Sequence, residues 1–148
     1  MPRSPLLLGS SNERERAMRA AAARVVIGGA LTLLPGLSRR TFGIPASQDN
    51  AALRLMARLF GIRNVLLGVW AIRVQDQGPD ARRLCYQVNA AADALDVVAL
   101  AVAGVTGDGL VRGALMGGAL GTSEVLAWFD LLGDVDGPQE PQGSVSLA

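Results

Sequence analysis

Residues 84–105 read LCYQVNAAADALDVVALAVAGV, an apolar run interrupted by Asn89, Asp93 and Asp96. At about 100° per helical residue, steps of four and seven return nearly to the same face, so the three polar side chains share one narrow stripe. A run of this length can cross a bilayer as a helix. Carboxylates carried across on its face need cationic or hydrogen-bonding partners, because an unpaired buried charge is costly. The only bases that the chain offers are arginines, since it has neither His nor Lys.

The 148 residues are one domain's worth, and 50% of them are apolar, which fits a soluble protein as well as a membrane one. The arrangement is more informative. Most charges fall in a few stretches, and the apolar residues form long blocks between them. A net charge of +1, with no basic patch interleaved with aromatics, gives no footprint for nucleic acid. The lone Cys85 allows no disulfide or cysteine metal site within one chain, and its expected role is packing. Without His no Ser-His-Asp or Cys-His arrangement is available, so no catalytic residue, metal site or cofactor is assigned. Asp93 and Asp96 can in principle hold a hard cation, but carboxylates beside arginines are more often neutralised by them.

Breakers divide the chain into four expected helices over about 13–36, 48–74, 80–104 and 109–132, after a flexible leader (1–12) and before a disordered tail (133–148). Asn12 with Glu15, or Ser10 with Glu13, suits the first cap. Gly and Pro between Ser38 and Pro45 exclude a continuing helix, and Pro79 fits a first helical position. The connection Thr106-Gly107-Asp108-Gly109 is short enough to make its helices antiparallel neighbours. In the fourth helix Gly113, Gly117 and Gly121 form a ladder at spacing four, which lets another helix approach closely in lipid. The fold class is therefore all-α, a four-helix up-down integral membrane bundle, with a compact soluble bundle as the alternative. Arginines near the N-terminus and between the second and third helices outnumber those opposite, which places both termini in the cytoplasm. Trp70, Tyr86 and Trp128 then lie toward the same leaflet, as interfacial aromatics or as packing residues. The bilayer is the expected partner, with self-association along the glycine face of the fourth helix.

Depth can be counted from the cytoplasmic ends of the apolar portions, Ala20, Ile72, Leu84 and Leu131, at about 1.5 Å per residue. Arg24 and Glu124 lie about 6 and 10 Å deep, Arg63 and Asp93 about 13 Å, and Arg58 and Asp96 about 21 and 18 Å. Three bases meet three acids at matching depths. The expected pairs are Arg63 with Asp93, Arg58 with Asp96 and Arg24 with Glu124, with Asn64, Asn89, Thr122 and Ser123 supplying further hydrogen bonds. Snorkelling of Arg58 and Arg24 to the interfaces is the alternative.

The run Arg58-Leu59-Phe60-Gly61-Ile62-Arg63-Asn64, followed by Leu66-Leu67-Gly68, precedes a helix bearing Asp93 and Asp96. Together with Leu34-Pro35-Gly36 and Arg40-Thr41-Phe42-Gly43, it resembles a group of small, uncharacterised four-span bacterial membrane proteins over roughly residues 19–132. The resemblance implies architecture and carries no functional residue across. The expected function is a binding or accessory component built around the Arg/Asp/Glu network, which is either an ion-pair lattice fixing helix order or a polar pocket for a ligand or protons. A proton-linked small-solute transporter or channel-forming subunit is the second reading, and a soluble helical partner-binding protein is the third.

Overall fold

The computed structural model describes residues 12–107 and 111–136, and they are mainly helical, with no strand among them. The helices are α1 (Glu13–Leu33), α2 (Gly36–Thr41), α3 (Ala51–Arg73), α4 (Pro79–Thr106) and α5 (Val111–Asp136), with 3-10 turns at Ala46–Gln48 and Val74–Asp76.

Local chemistry sets most of these limits. The Asn12 side chain accepts the Arg14 backbone N–H at 2.9 Å, with Glu13 and Glu15 favouring the positive end of the α1 dipole. Pro35 follows the α1 C-cap, Leu34. The connection beyond it, expected to be non-helical, contains α2, because the proline halts α1 without preventing the residues after it from coiling again. Gly43, at φ 63, ends that turn, and the Ile44 N–H reaches back to the Arg39 carbonyl at 2.9 Å. Asn50 caps α3, accepting the Leu53 N–H at 2.9 Å. At the following corner Arg54 donates to Asp49 at 2.9 Å. That bond and the charges of Arg54 and Arg39 hold the Asp49 carboxyl below its usual range.

Helix α5 runs past Leu132 to Asp136, so residues 133–136 belong to a helix and not to a tail. Acids in a last helical turn oppose the helix dipole. Here Asp134 pairs with Arg16 and Asp136 with Arg83, and those cations offset the penalty. The rest of the expected tail, the leader before Asn12 and Asp108-Gly109 lie outside the described residues.

The long helices pack as two pairs, α1 with α3 and α4 with α5. Within each pair the contacts run antiparallel: Ala21 and Val25 meet Gly68 while Gly28 meets Gly61, and Leu100 meets Gly117 while Val97 meets Gly121. The α1–α3 seam is made of backbone. A Cβ added at Gly28 would lie 2.6 Å from the Gly61 carbonyl oxygen and 2.9 Å from the Val65 nitrogen, so only glycine allows this approach. Tyr86, Trp128, Leu131, Val74 and Cys85 fill one end of the molecule completely. Tyr86 and Trp128, with ring centroids 5.7 Å apart, are core residues and not interfacial ones.

Large apolar side chains are distributed the other way round. Val26 and Leu33 of α1, Leu66 of α3, Leu95 and Val105 of α4 and Leu115 of α5 all face outward. Much of the buried interior is Ala, Gly, Asn, Arg and Asp. Two helical stretches, Ala51–Asp76 and Pro79–Thr106, are long and apolar enough to cross a membrane.

The seam yields a paired test. Gly28→Ala is expected to destabilise, because overpacking against backbone costs about 1–3 kcal/mol while alanine returns at most about 1 kcal/mol of helix propensity. Gly29→Ala, which meets nothing within 4 Å, is expected to be neutral or stabilising. Thermal unfolding of the two variants under identical conditions compares them, and equal midpoints would contradict the close seam.

Candidate functional site

Five charged residues near the middles of the four long helices form the candidate site: Arg24 on α1, Arg63 on α3, Asp93 and Asp96 on α4, and Glu124 on α5. Arg24, fully enclosed, makes an ion pair with Asp93 and donates to the Asn89 amide oxygen at 2.7 Å. Its guanidinium also lies 5.6 Å from the centre of the Trp128 ring system. Trp128 donates its indole N–H to the second Asp93 oxygen at 2.9 Å. Asn89 is held in turn by its amide N–H on the Cys85 carbonyl at 2.9 Å. The buried acid thus has a donor on each oxygen, and the base has carboxylate, amide and ring around it. A buried pair needs such additional bonds to repay its desolvation.

The second pair is more open. Arg63 grips Asp96 through both terminal nitrogens, one of them at 3.0 Å from Oδ1, with Phe60 5.0 Å beneath the guanidinium. Asn64 does not join it. Its amide N–H bonds the Phe60 carbonyl at 2.9 Å, one helical turn back.

None of the three expected pairings is formed. Helices α1 and α4 are levelled by an ion pair near their ends, Glu13 with Arg82 at 3.0 Å, and not by where their apolar stretches begin. Arg24 lies as many residues beyond Glu13 as Asp93 lies beyond Arg82, so the two arrive at one height. Counting from Ala20 misses this because α1 starts well before its apolar part. Arg63 takes Asp96 in consequence. Arg58 is exposed: the inner face of α3 is Ala57, Gly61, Asn64, Gly68 and Ala71, and one residue's step rotates a side chain about 100° away. Glu124 is left with its Oε2 buried and without a hydrogen-bond partner among the described residues. Thr122 bonds the Gly118 carbonyl at 2.8 Å on the exposed side.

The glycine ladder of α5 has neighbours from the same chain. A Cβ at Gly113 would lie 2.6 Å from the Phe42 carbonyl oxygen, one at Gly117 would lie 2.9 Å from Leu100 Cδ1, and one at Gly121 would lie 2.8 Å from Val97 Cγ2. The α2–α3 connection therefore crosses the end of the molecule and seats Phe42 on α5. Below Phe42 and Ile44, between the two helix pairs, lies a cavity of about 460 Å³. Its walls are apolar, among them Leu31, Leu53, Phe60 and Leu100, and its polar groups are Arg24, Asn64, Asp93, Asp96 and Glu124. The size falls within the range of about 300–1,000 Å³ usual for small-molecule sites.

A second lattice, not foreseen from sequence, ties together the end opposite Phe42. Tyr86 lies 3.1 Å from Glu13 and accepts from Gln75 at 3.0 Å, and Arg82 donates to Glu13. Arg14 pairs with Asp76 at 2.7 Å. The signal was present in sequence as charged residues on every long helix at that end, but their spacing alone does not assign partners.

No family model, curated protein or solved structure matches this chain.

Removing one member of the enclosed pair strands the other. Arg24→Gln or Asp93→Leu is expected to cost about 3–5 kcal/mol. Arg58→Gln, on the exposed face, is expected to change stability by less than about 0.5 kcal/mol. Denaturant unfolding measures both, and comparable losses at Arg24 and Arg58 would overturn the assignment of partners.

Proposed function

We propose that the protein is an integral membrane protein in which α1, α3, α4 and α5 form a four-span up-down bundle, with both termini on the cytoplasmic side. It acts as a binding or accessory component, and the ligand site is the cavity between its two helix pairs. The observation that carries this reading is the inverted distribution of side chains: leucines and valines outside, with glycines, alanines and the Arg24–Asp93 pair inside. In water this arrangement would leave a large apolar surface exposed. In lipid it is what close helix packing requires, with small residues at the seams and polar groups turned inward.

Helices α3 and α4 qualify as spans by composition alone. For α1 and α5 the support is indirect. Arg16 and Arg24 of α1 are enclosed by Asp134 and Asp93, so the surface left to lipid includes Val26, Ile27 and Leu33. Helix α5 carries its single mid-helix acid, Glu124, toward the cavity. Orientation follows from the arginines, because Arg14, Arg16, Arg19, Arg73, Arg82 and Arg83 gather at the end where α1 begins. The small four-span bacterial proteins that the sequence resembles have the same proposed architecture.

A second reading, a proton-linked small-solute transporter or channel-forming subunit, draws on Glu124, whose unpartnered mid-helix carboxylate is the kind of group that proton relays use.

Fractionation tests the membrane assignment. The protein is expected to stay with membranes through an alkaline wash and to leave them only in detergent. Cysteines introduced at Asp80 and at Ala46 are expected to react with a membrane-impermeant maleimide from opposite faces, with buried Cys85 remaining silent. Recovery in the aqueous fraction, or labelling of both sites from one face, would refute the four-span arrangement.

A further inference from the structure

The cavity's charges do not balance. Arg24 and Arg63 stand against Asp93, Asp96 and Glu124, and each arginine is committed to one aspartate. Both oxygens of Asp93 are used, by Arg24 and by Trp128, and Asp96 is gripped at both oxygens by Arg63. The charged groups that act on Glu124 are Arg24, already neutralised by its aspartate, and Asp93, which repels it. Arg58, the one further base on the neighbouring stretch of α3, is exposed. Among the described residues, one carboxylate therefore faces an apolar chamber with no counter-charge of its own. Asn64, which also lines the cavity, gives one amide N–H to the Phe60 carbonyl and can offer a neutral dipole but no positive charge.

We propose that this cavity binds a lipophilic amine, with its protonated nitrogen on the Glu124 carboxylate and its hydrocarbon body against Leu31, Leu53, Phe60 and Leu100. The inference rests on the ligand-site reading above and deepens it by naming the ligand class. The lining selects against other classes. An anion would meet the uncompensated Glu124, with both arginines occupied. A neutral hydrocarbon would give the Glu124 carboxyl no partner and leave its buried Oε2 unsatisfied in an apolar space. A monocation restores neutrality and donates to a group that otherwise only accepts. A volume of about 460 Å³ admits an amine of one or two rings with room for substituents.

Binding to the full-length protein in nanodiscs tests this with three probes of similar shape near neutral pH: N,N-dimethylbenzylamine, its neutral isostere isobutylbenzene, and the anion 3-phenylpropionate. The amine is expected to bind most tightly. Glu124→Gln, nearly isosteric, is expected to weaken amine binding by about tenfold or more while leaving isobutylbenzene unchanged. Ala57→Phe, which fills the chamber from α3, is expected to abolish binding of both. Equal amine affinity in the parent and in Glu124→Gln, or a preference for the anion, overturns the amine assignment while leaving the cavity as a ligand site. Binding of no probe, or binding indifferent to Ala57→Phe, overturns the ligand-site reading itself. A thermal midpoint for each variant confirms that losses arise in the folded protein.

Discussion

Everything in this molecule depends on the enclosure of one guanidinium. Arg24 sits at the middle of α1 with Asp93 and Asn89 of α4 on its nitrogens and Trp128 of α5 near its plane, so a single side chain connects three helices. Its bonds cannot form unless α1 and α4 stand level, unless Asn89 is oriented by the Cys85 carbonyl, and unless α5 is rotated to aim its indole at Asp93. The register of the helices and the identity of the buried pair are thus one fact. Apolar contact between the pairs could not fix it as well, because such contact is non-directional, whereas a displaced ion pair leaves charges stranded.

Two kinds of contact divide the work. Within each helix pair the backbones come together on glycines, Gly28 and Gly61 on one side and Gly117 and Gly121 on the other, and those contacts are dense and apolar. Between the pairs contact is sparse, and polar groups supply much of it: Arg24 with Asp93, Arg63 with Asp96, Glu13 with Arg82, Arg16 with Asp134. The cavity exists because of this division. Small residues bring α1 to α3 and α4 to α5, and the length of an arginine side chain then holds the two pairs apart.

The helical class, the approximate limits of the long helices and the stripe of Asn89, Asp93 and Asp96 were legible in the sequence, because periodicity and breakers are local properties. The partner of each acid was not. A depth count requires a common zero for every helix, and that zero is set here by Glu13 and Arg82, whose importance only the assembled structure reveals. Helix α2 was hidden for a different reason, since Pro35 and Gly43 mark breaks without saying what lies between them. The glycines of α1 and α3 carried a signal as strong as the ladder of α5, but their spacing of seven between Gly61 and Gly68 is less conspicuous than a run at spacing four. Glu124 was legible as inward-facing, although the arginine assigned to it belongs to Asp93.

The glycine seam between α1 and α3 has a mechanical consequence. Backbone pressed on backbone leaves no side-chain layer that could compress or re-pack, so those two helices must travel as one stiff slab. Any swelling or shrinking of the space between the slabs has to be taken up where they meet, and there Arg63, more open than the enclosed Arg24–Asp93 pair, is the side chain with room to swing. Its long, jointed stem makes it the compliant strut of an otherwise rigid frame.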